Sequence, residues 1–132
     1  MKLLIVSPPF GENGQKSKGL PIAPPVLEYL AGLTRKVSPD TEIDLIDANL
    51  DDFDPDSVSA DLVGFTVLTP QAPWAYRMGD RFRERGIQVL FGGIHIAAIP
   101  DEARQHADSI LIGEAESVWG QVLETSLAAR CV

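Results

Sequence analysis

Five short apolar runs, each followed by a stretch of helical spacing or a turn-rich connection, constrain this chain more than any other feature. Lys2 to Val6, Glu42 to Asp47, Leu62 to Leu68, Gln88 to Phe91 and Ser109 to Ile112 read as strands. Helix one starts near Pro24-Pro25, where a fixed φ suits a first turn, and Val26, Leu27, Leu30, Leu33 and Val37 face the sheet. Pro70 to Arg85 is a second helix with Trp74, Ala75, Met78 and Phe82 on one side, and Gly86 stands where a C-cap glycine belongs. Strand and helix in repeated alternation build a parallel sheet covered on both faces. The predicted fold class is therefore α/β: a flavodoxin-like (Rossmann-like) three-layer domain, residues 1–132, with a five-stranded parallel sheet of order 2-1-3-4-5.

The connections add detail. The loop from Ser7 to about Pro21 is long for a compact domain. Asp51 to Asp56 is an acidic, solvated link with room for one short helix near Asp56 to Ser59. Short helical pieces are expected at Ile96 to Ile99 and Pro100 to His106. A last helix takes Ala115 to about Ala128, with Val118, Trp119, Val122, Leu123 and Leu127 inward. In the predicted order the switch point lies between strands one and three, and ligands of such sheets bind at the carboxyl edge there.

Composition removes several function classes. The chain has 132 residues, 45% hydrophobic and 23% charged, which suits one globular core. A net charge of −8 leaves no basic surface for phosphates, so no nucleic-acid partner is expected, nor an anionic membrane. No apolar run approaches the roughly 20 residues of a membrane span. The single Cys131 cannot form an internal disulfide or hold an iron–sulfur cluster, and a cytoplasmic location is expected.

Familiar phosphate motifs fail on spacing. In Gly11-Glu12-Asn13-Gly14-Gln15-Lys16-Ser17 a glutamine separates the last glycine from the lysine, so backbone amides and ammonium do not converge as in a Walker loop. Prolines, not three spaced glycines, open the first helix, which removes the dinucleotide fingerprint. Strand three ends in Thr66-Val67-Leu68-Thr69 without the carboxylate that a phosphoryl-accepting domain requires.

Three features remain. Gly64 interrupts a buried strand, with Thr66 and Thr69 on or just after it. Gln88 to Phe91 ends in Gly92-Gly93-Ile94-His95, and paired glycines there admit a sharp turn or a ligand against main chain. His95 is a ligand residue or a satisfied turn histidine. Gly113-Glu114-Ala115-Glu116 closes strand five, where the acids suit either a site or a helix N-terminus. Together these place small or polar residues at the carboxyl ends of three strands, as one shared pocket requires.

On these residues the chain resembles the N-terminal cobalamin (vitamin B12)-binding domain of B12-dependent radical SAM proteins. The resemblance runs from Ser7-Pro8-Pro9 through Asp61-Leu62-Val63-Gly64-Phe65-Thr66 and Gly92-Gly93-Ile94-His95 to Gly113-Glu114-Ala115-Glu116. Thr66-Val67-Leu68 is similar to the superfamily's S-x-L, and Gly92-Gly93 to its final glycine pair. There are departures. Pro9-Phe10-Gly11 stands where D-x-H-x-x-G would supply a cobalt-ligating histidine, Ala115 replaces a glycine, and Ala97 stands where threonine is frequent.

The resemblance implies a module that binds rather than catalyses, with no protein ligand to the metal and cobalamin held base-off. It implies Ser7, Pro8, Pro9, Asp47, Gly64, Thr66, Leu68, Thr69, Gly92, Gly93, His95, Gly113 and Glu114 as cofactor-binding residues. The dimethylbenzimidazole tail would enter beside strand three, and the Ser7 to Pro21 loop would border the corrin. It further implies a radical SAM domain in cis, carrying S-adenosylmethionine and a 4Fe-4S cluster on C-x-x-x-C-x-x-C, a motif this chain lacks; the expectation is a domain excised from a longer enzyme. The alternatives are a flavodoxin-like interaction or sensory domain with a vestigial pocket, or a nucleotide-sugar-binding fragment.

Overall fold

The computed structural model describes residues 1–11, 16 and 25–130. Most of the Ser7 to Pro21 loop, the Pro24 start of the first helix and Cys131 lie outside the described residues. Five strands form one sheet: β1 (Lys2–Ser7), β2 (Glu42–Asp47), β3 (Leu62–Thr66), β4 (Gln88–Gly92) and β5 (Ser109–Ile110). All pairings are parallel and the order is β2-β1-β3-β4-β5, as the strand–helix pattern predicts. The helices are α1 (Pro25–Val37), α2 (Ala72–Glu84), α3 (Ile94–Ala98), α4 (Pro100–Arg104) and α5 (Trp119–Arg130).

Alternate strand residues point to opposite faces, so each central strand feeds two cores. Leu4, Val6, Val63, Phe65, Val89 and Phe91 pack under α2, α3 and α4. Phe65 is the centre of that core, with Phe91 at 5.5 Å and Phe82 at 6.1 Å between ring centroids. On the other face Leu3, Ile5, Leu62 and Leu90 meet Leu27 and Leu30 of α1 and Trp119 and Leu123 of α5. This second core is thinner, and the site lies within it.

Several boundaries depart from expectation. In α1 the buried positions are Leu27, Leu30, Ala31 and Thr34, an i, i+3, i+4, i+7 stripe, while Val26 and Val37 are exposed. The expected helix near Asp56 to Ser59 is a 3-10 turn over Pro55–Ser57, whose N-cap Asp54 accepts from the Asp56 amide. β3 ends at Thr66 rather than Leu68, although the Val67 amide still donates to the Gly92 carbonyl at 2.8 Å. β5 is two residues long rather than four, because its partner β4 turns away at Gly93. α5 begins at Trp119 rather than Ala115, because residues 115 to 118 form a tight turn in which the Ala115 carbonyl accepts from both Val118 and Trp119. Gly86 caps α2 at φ +76°, with the Ile87 amide returning to the Phe82 carbonyl at 3.0 Å.

Candidate functional site: a cavity at the carboxyl edge

Register decides where the glycines act. Gly64 pairs with Ile5 on one side and Leu90 on the other, and Gly92 pairs with Thr66. Gly64, Thr66 and Gly92 therefore present to the α1/α5 face, in line with Leu62 and Leu90. Two of the three carry no side chain, and a cavity of about 360 Å³ opens over them. That volume lies in the range of roughly 300–1,000 Å³ that small-molecule sites occupy.

Neither glycine is there for want of room. A Cβ on Gly64 would meet nothing nearer than Leu90 at 4.0 Å, and one on Gly92 would meet the Leu111 Cβ at 3.7 Å. Glycine inside a strand is unfavourable. Here that loss leaves space instead of relieving a clash. Gly93 differs: its φ is +110°, and a Cβ would lie 2.7 Å from both the nitrogen and the carbonyl oxygen of Val67. It lets the β4 exit pass tightly over β3, and the turn forms the cavity's lip.

The walls come from distant segments. Val26, Tyr29 and Leu30 of α1 form one side, and Trp119 closes another. The Trp119 indole Nε1–H donates to Thr34 Oγ1 at 2.8 Å, and the Thr34 hydroxyl donates to the Leu30 carbonyl at 2.7 Å. This buried relay ties α5 to α1 and holds the cavity wall in place. Gly113, Glu114, Ala115 and Glu116 cross the mouth. Partial burial, then Glu116 and Glu114, raise the Tyr29 hydroxyl above its ordinary pKa. The lining is mostly apolar with an acidic rim, and among the described residues no lysine or arginine belongs to it.

Gly64, Thr66, Gly92, Gly93, Gly113 and Glu114 thus converge on one cavity. Ser7 and Asp47 are buried as the paired last residues of β1 and β2, and Pro8 and Pro9 are buried just beyond β1. The Ser7 carbonyl accepts from Ala48, and Asp47 Oδ1 accepts from the Asn49 amide at 2.9 Å. Leu68, Thr69 and His95 do not line the cavity; Leu68 and Thr69 are exposed just beyond the end of β3. His95, in α3, is buried against Tyr76 of α2, with its Nδ1 3.2 Å from Thr69 Oγ1 and its Nε2 3.1 Å from Glu102 Oε1, so both ring nitrogens have partners within the protein.

Two groups escaped the reading of the sequence. Gln71, almost wholly buried, donates through Nε2 to the Pro8 carbonyl and accepts at Oε1 from the Leu68 amide, which stitches the exits of β1 and β3 together. The second group is an apolar collar, of which Leu68 alone was among the expected residues. Phe10, Leu50, Leu68, Ile94 and Ile112 each stand two or three residues after a strand's last residue, and all are exposed, Ile94 by 74%. Their common offset from the strand ends was the available signal. Among the described residues no cluster of three His, Cys, Asp or Glu side chains is placed to hold a metal ion, and no helix is long and apolar enough to cross a membrane.

No family model matches the chain. It is similar to two methyltransferases of Chlorobaculum tepidum. It is 40% identical over 95 residues to the bacteriochlorophyllide d C-8(2)-methyltransferase, across 72% of this chain and 21% of that protein. It is 34% identical over 122 residues to the bacteriochlorophyllide d C-12(1)-methyltransferase, across 92% of this chain and 26% of that protein. The chain therefore corresponds to about a quarter or less of the length of these relatives.

Proposed function

We propose that this chain is the cobalamin-binding module of a B12-dependent radical SAM C-methyltransferase and holds cobalamin base-off, its nucleotide tail in the cavity. The carrying observation is that Gly64 and Gly92 empty the middle of the sheet on one face while the chain is similar to part of two C-methyltransferases. A flat heterocycle suits that space. Gly64 and Gly92 give it depth, the Thr66 hydroxyl offers one hydrogen bond, and Trp119 bounds the far end. The collar of Phe10, Leu50, Leu68, Ile94 and Ile112 gives the corrin an apolar seat over the carboxyl edge.

Bound cobalamin supplies a cobalt that can carry a methyl group. This chain's own part is to bind, to orient and to exclude water. No D-x-H-x-x-G histidine is present, and His95 is committed to Thr69 and Glu102, so neither serves as the lower ligand in this reading. The radical chemistry, with S-adenosylmethionine and a 4Fe-4S cluster, belongs to a radical SAM domain in cis. A chlorophyll-type tetrapyrrole is the substrate class that the relatives suggest for the whole enzyme, and a cytoplasmic location belongs to the same reading.

The test is retention of hydroxocobalamin through desalting, read as a shifted corrin absorbance. Gly64→Leu directs a side chain into the cavity from a position with room for it, so retention is lost while the melting temperature holds. Wild-type protein that retains no corrin at high micromolar concentration overturns the proposal, as does a folded Gly64→Leu protein that retains it undiminished. Gly93→Trp is a poorer probe, because any side chain there collides with Val67 whether or not a ligand is present.

A further inference from the structure

Glu102, His95 and Thr69 form a line from the surface to the carboxyl edge. Glu102 Oε1 lies 3.1 Å from His95 Nε2, and His95 Nδ1 lies 3.2 Å from Thr69 Oγ1. The His95 ring is 7% exposed, so water does not compete for either nitrogen, while Thr69 is exposed at the edge. The hydrogens in this line are interdependent. A carboxylate only accepts, so His95 Nε2 carries the proton. In the neutral imidazole Nδ1 is then a bare acceptor, and the Thr69 hydroxyl must donate to it. The hydroxyl's single hydrogen is thereby spent inward, and its two lone pairs remain to accept.

We infer that Glu102 and His95 act as positioning residues that present Thr69 Oγ1 as a hydrogen-bond acceptor at the carboxyl edge, selecting a ligand that offers an N–H donor there. A threonine alone would rotate and offer a donor as readily as an acceptor. Here the carboxylate, acting through the ring, removes that choice. The matching ligand group is a primary carboxamide, which the corrin periphery carries in several copies. This ligand half of the inference rests on the cobalamin reading; the relay itself does not. Thr69 lies outside the cavity and beside the collar residue Leu68, where the body of a ligand with its tail in the cavity would rest.

Two measurements test it on the intact chain. Long-range proton–nitrogen correlation of the imidazoles identifies the His95 tautomer without any ligand. The Nε2–H form is expected, with loss of that preference in Glu102→Ala; the Nδ1–H form overturns the relay. Hydroxocobalamin titration then compares wild type with Thr69→Val and Thr69→Ser. Thr69→Val weakens binding about threefold to tenfold, the range of one neutral hydrogen bond, and Thr69→Ser restores it. A folded Thr69→Val protein with wild-type affinity overturns the ligand role while the cobalamin reading stands. Wild-type protein with no measurable affinity overturns the cobalamin reading and the ligand role together, and the tautomer still judges the relay.

Discussion

A Cβ on Gly93 would lie 2.7 Å from the main-chain nitrogen and oxygen of Val67. The contact joins the exits of β3 and β4 at the cavity's lip, where the Val67 amide donates to the Gly92 carbonyl and the Val67 carbonyl accepts from His95. Gly93→Ala meets both this backbone and a φ of +110°. We expect a loss of about 1–3 kcal/mol from the backbone strain alone, read as a lower denaturant midpoint. A midpoint within error of wild type would show that the two exits are not held this closely.

Gly79 and Gly32 make a paired prediction. Both are helical, and in an open position glycine to alanine gains roughly 0.5–1 kcal/mol. Around Gly32 nothing lies within 4 Å, so Gly32→Ala should stabilise by that amount. At Gly79 a Cβ would lie 2.8 Å from Phe91 Cζ and 2.9 Å from the His106 carbonyl. Overpacking of about 1–3 kcal/mol then exceeds the helical gain, so Gly79→Ala destabilises. Opposite shifts in melting temperature are the expected result, and equal shifts would refute the close packing of α2 on β4.

Trp119→Phe removes the Nε1–H bond to Thr34 Oγ1 and thins the cavity wall. The expected cost is about 1–3 kcal/mol, part hydrogen bond and part lost packing. The same variant should alter ligand retention, because Trp119 is a wall of the cavity as well as the strut between α5 and α1. Unchanged stability in urea would refute the strut.

Glu102 sets an acid-side prediction. The His95 ring N–H first, and the Tyr76 hydroxyl second, hold the Glu102 carboxyl below its ordinary value of 4.5. The Tyr76 hydroxyl leans on this carboxylate without closing a well-formed hydrogen bond, and burial first, then Glu102, pushes its own pKa up. A depressed carboxyl pKa means that the unfolded chain binds the proton more readily. The stabilisation is therefore fully present above pH 4.5 and is lost as pH falls through the depressed value. Glu102→Gln cannot titrate there. Its stability should fall less steeply than that of wild type below pH 4.5, measured by urea midpoints across pH, and parallel curves would count against the pairing.

Much of the fold was legible in local pattern. Runs such as Leu62 to Phe65 and Val89 to Phe91 are apolar on both faces, and their alternation with helical spacing fits a covered parallel sheet, which buries both. The glycines at 64, 92, 93 and 113 were legible as sites of unusual backbone or missing bulk. Their separate meanings were not. Gly93 is required by a clash and Gly64 by none, and only neighbours distant in sequence distinguish the two cases.

The sequence by itself determined the order of elements, the doubly covered sheet and the edge at which small residues gather, because periodicity and turn chemistry are local properties of the chain. Tertiary structure alone decided which face each residue serves. Gly64, Thr66 and Gly92 share the α1/α5 face because β3 and β4 pair in one register, while His95 turns to the other face and bonds Glu102. The Gln71 contact to Pro8 spans 63 residues and the Trp119 contact to Thr34 spans 85. Such pairs form only after the strands have docked, so no local pattern encodes them.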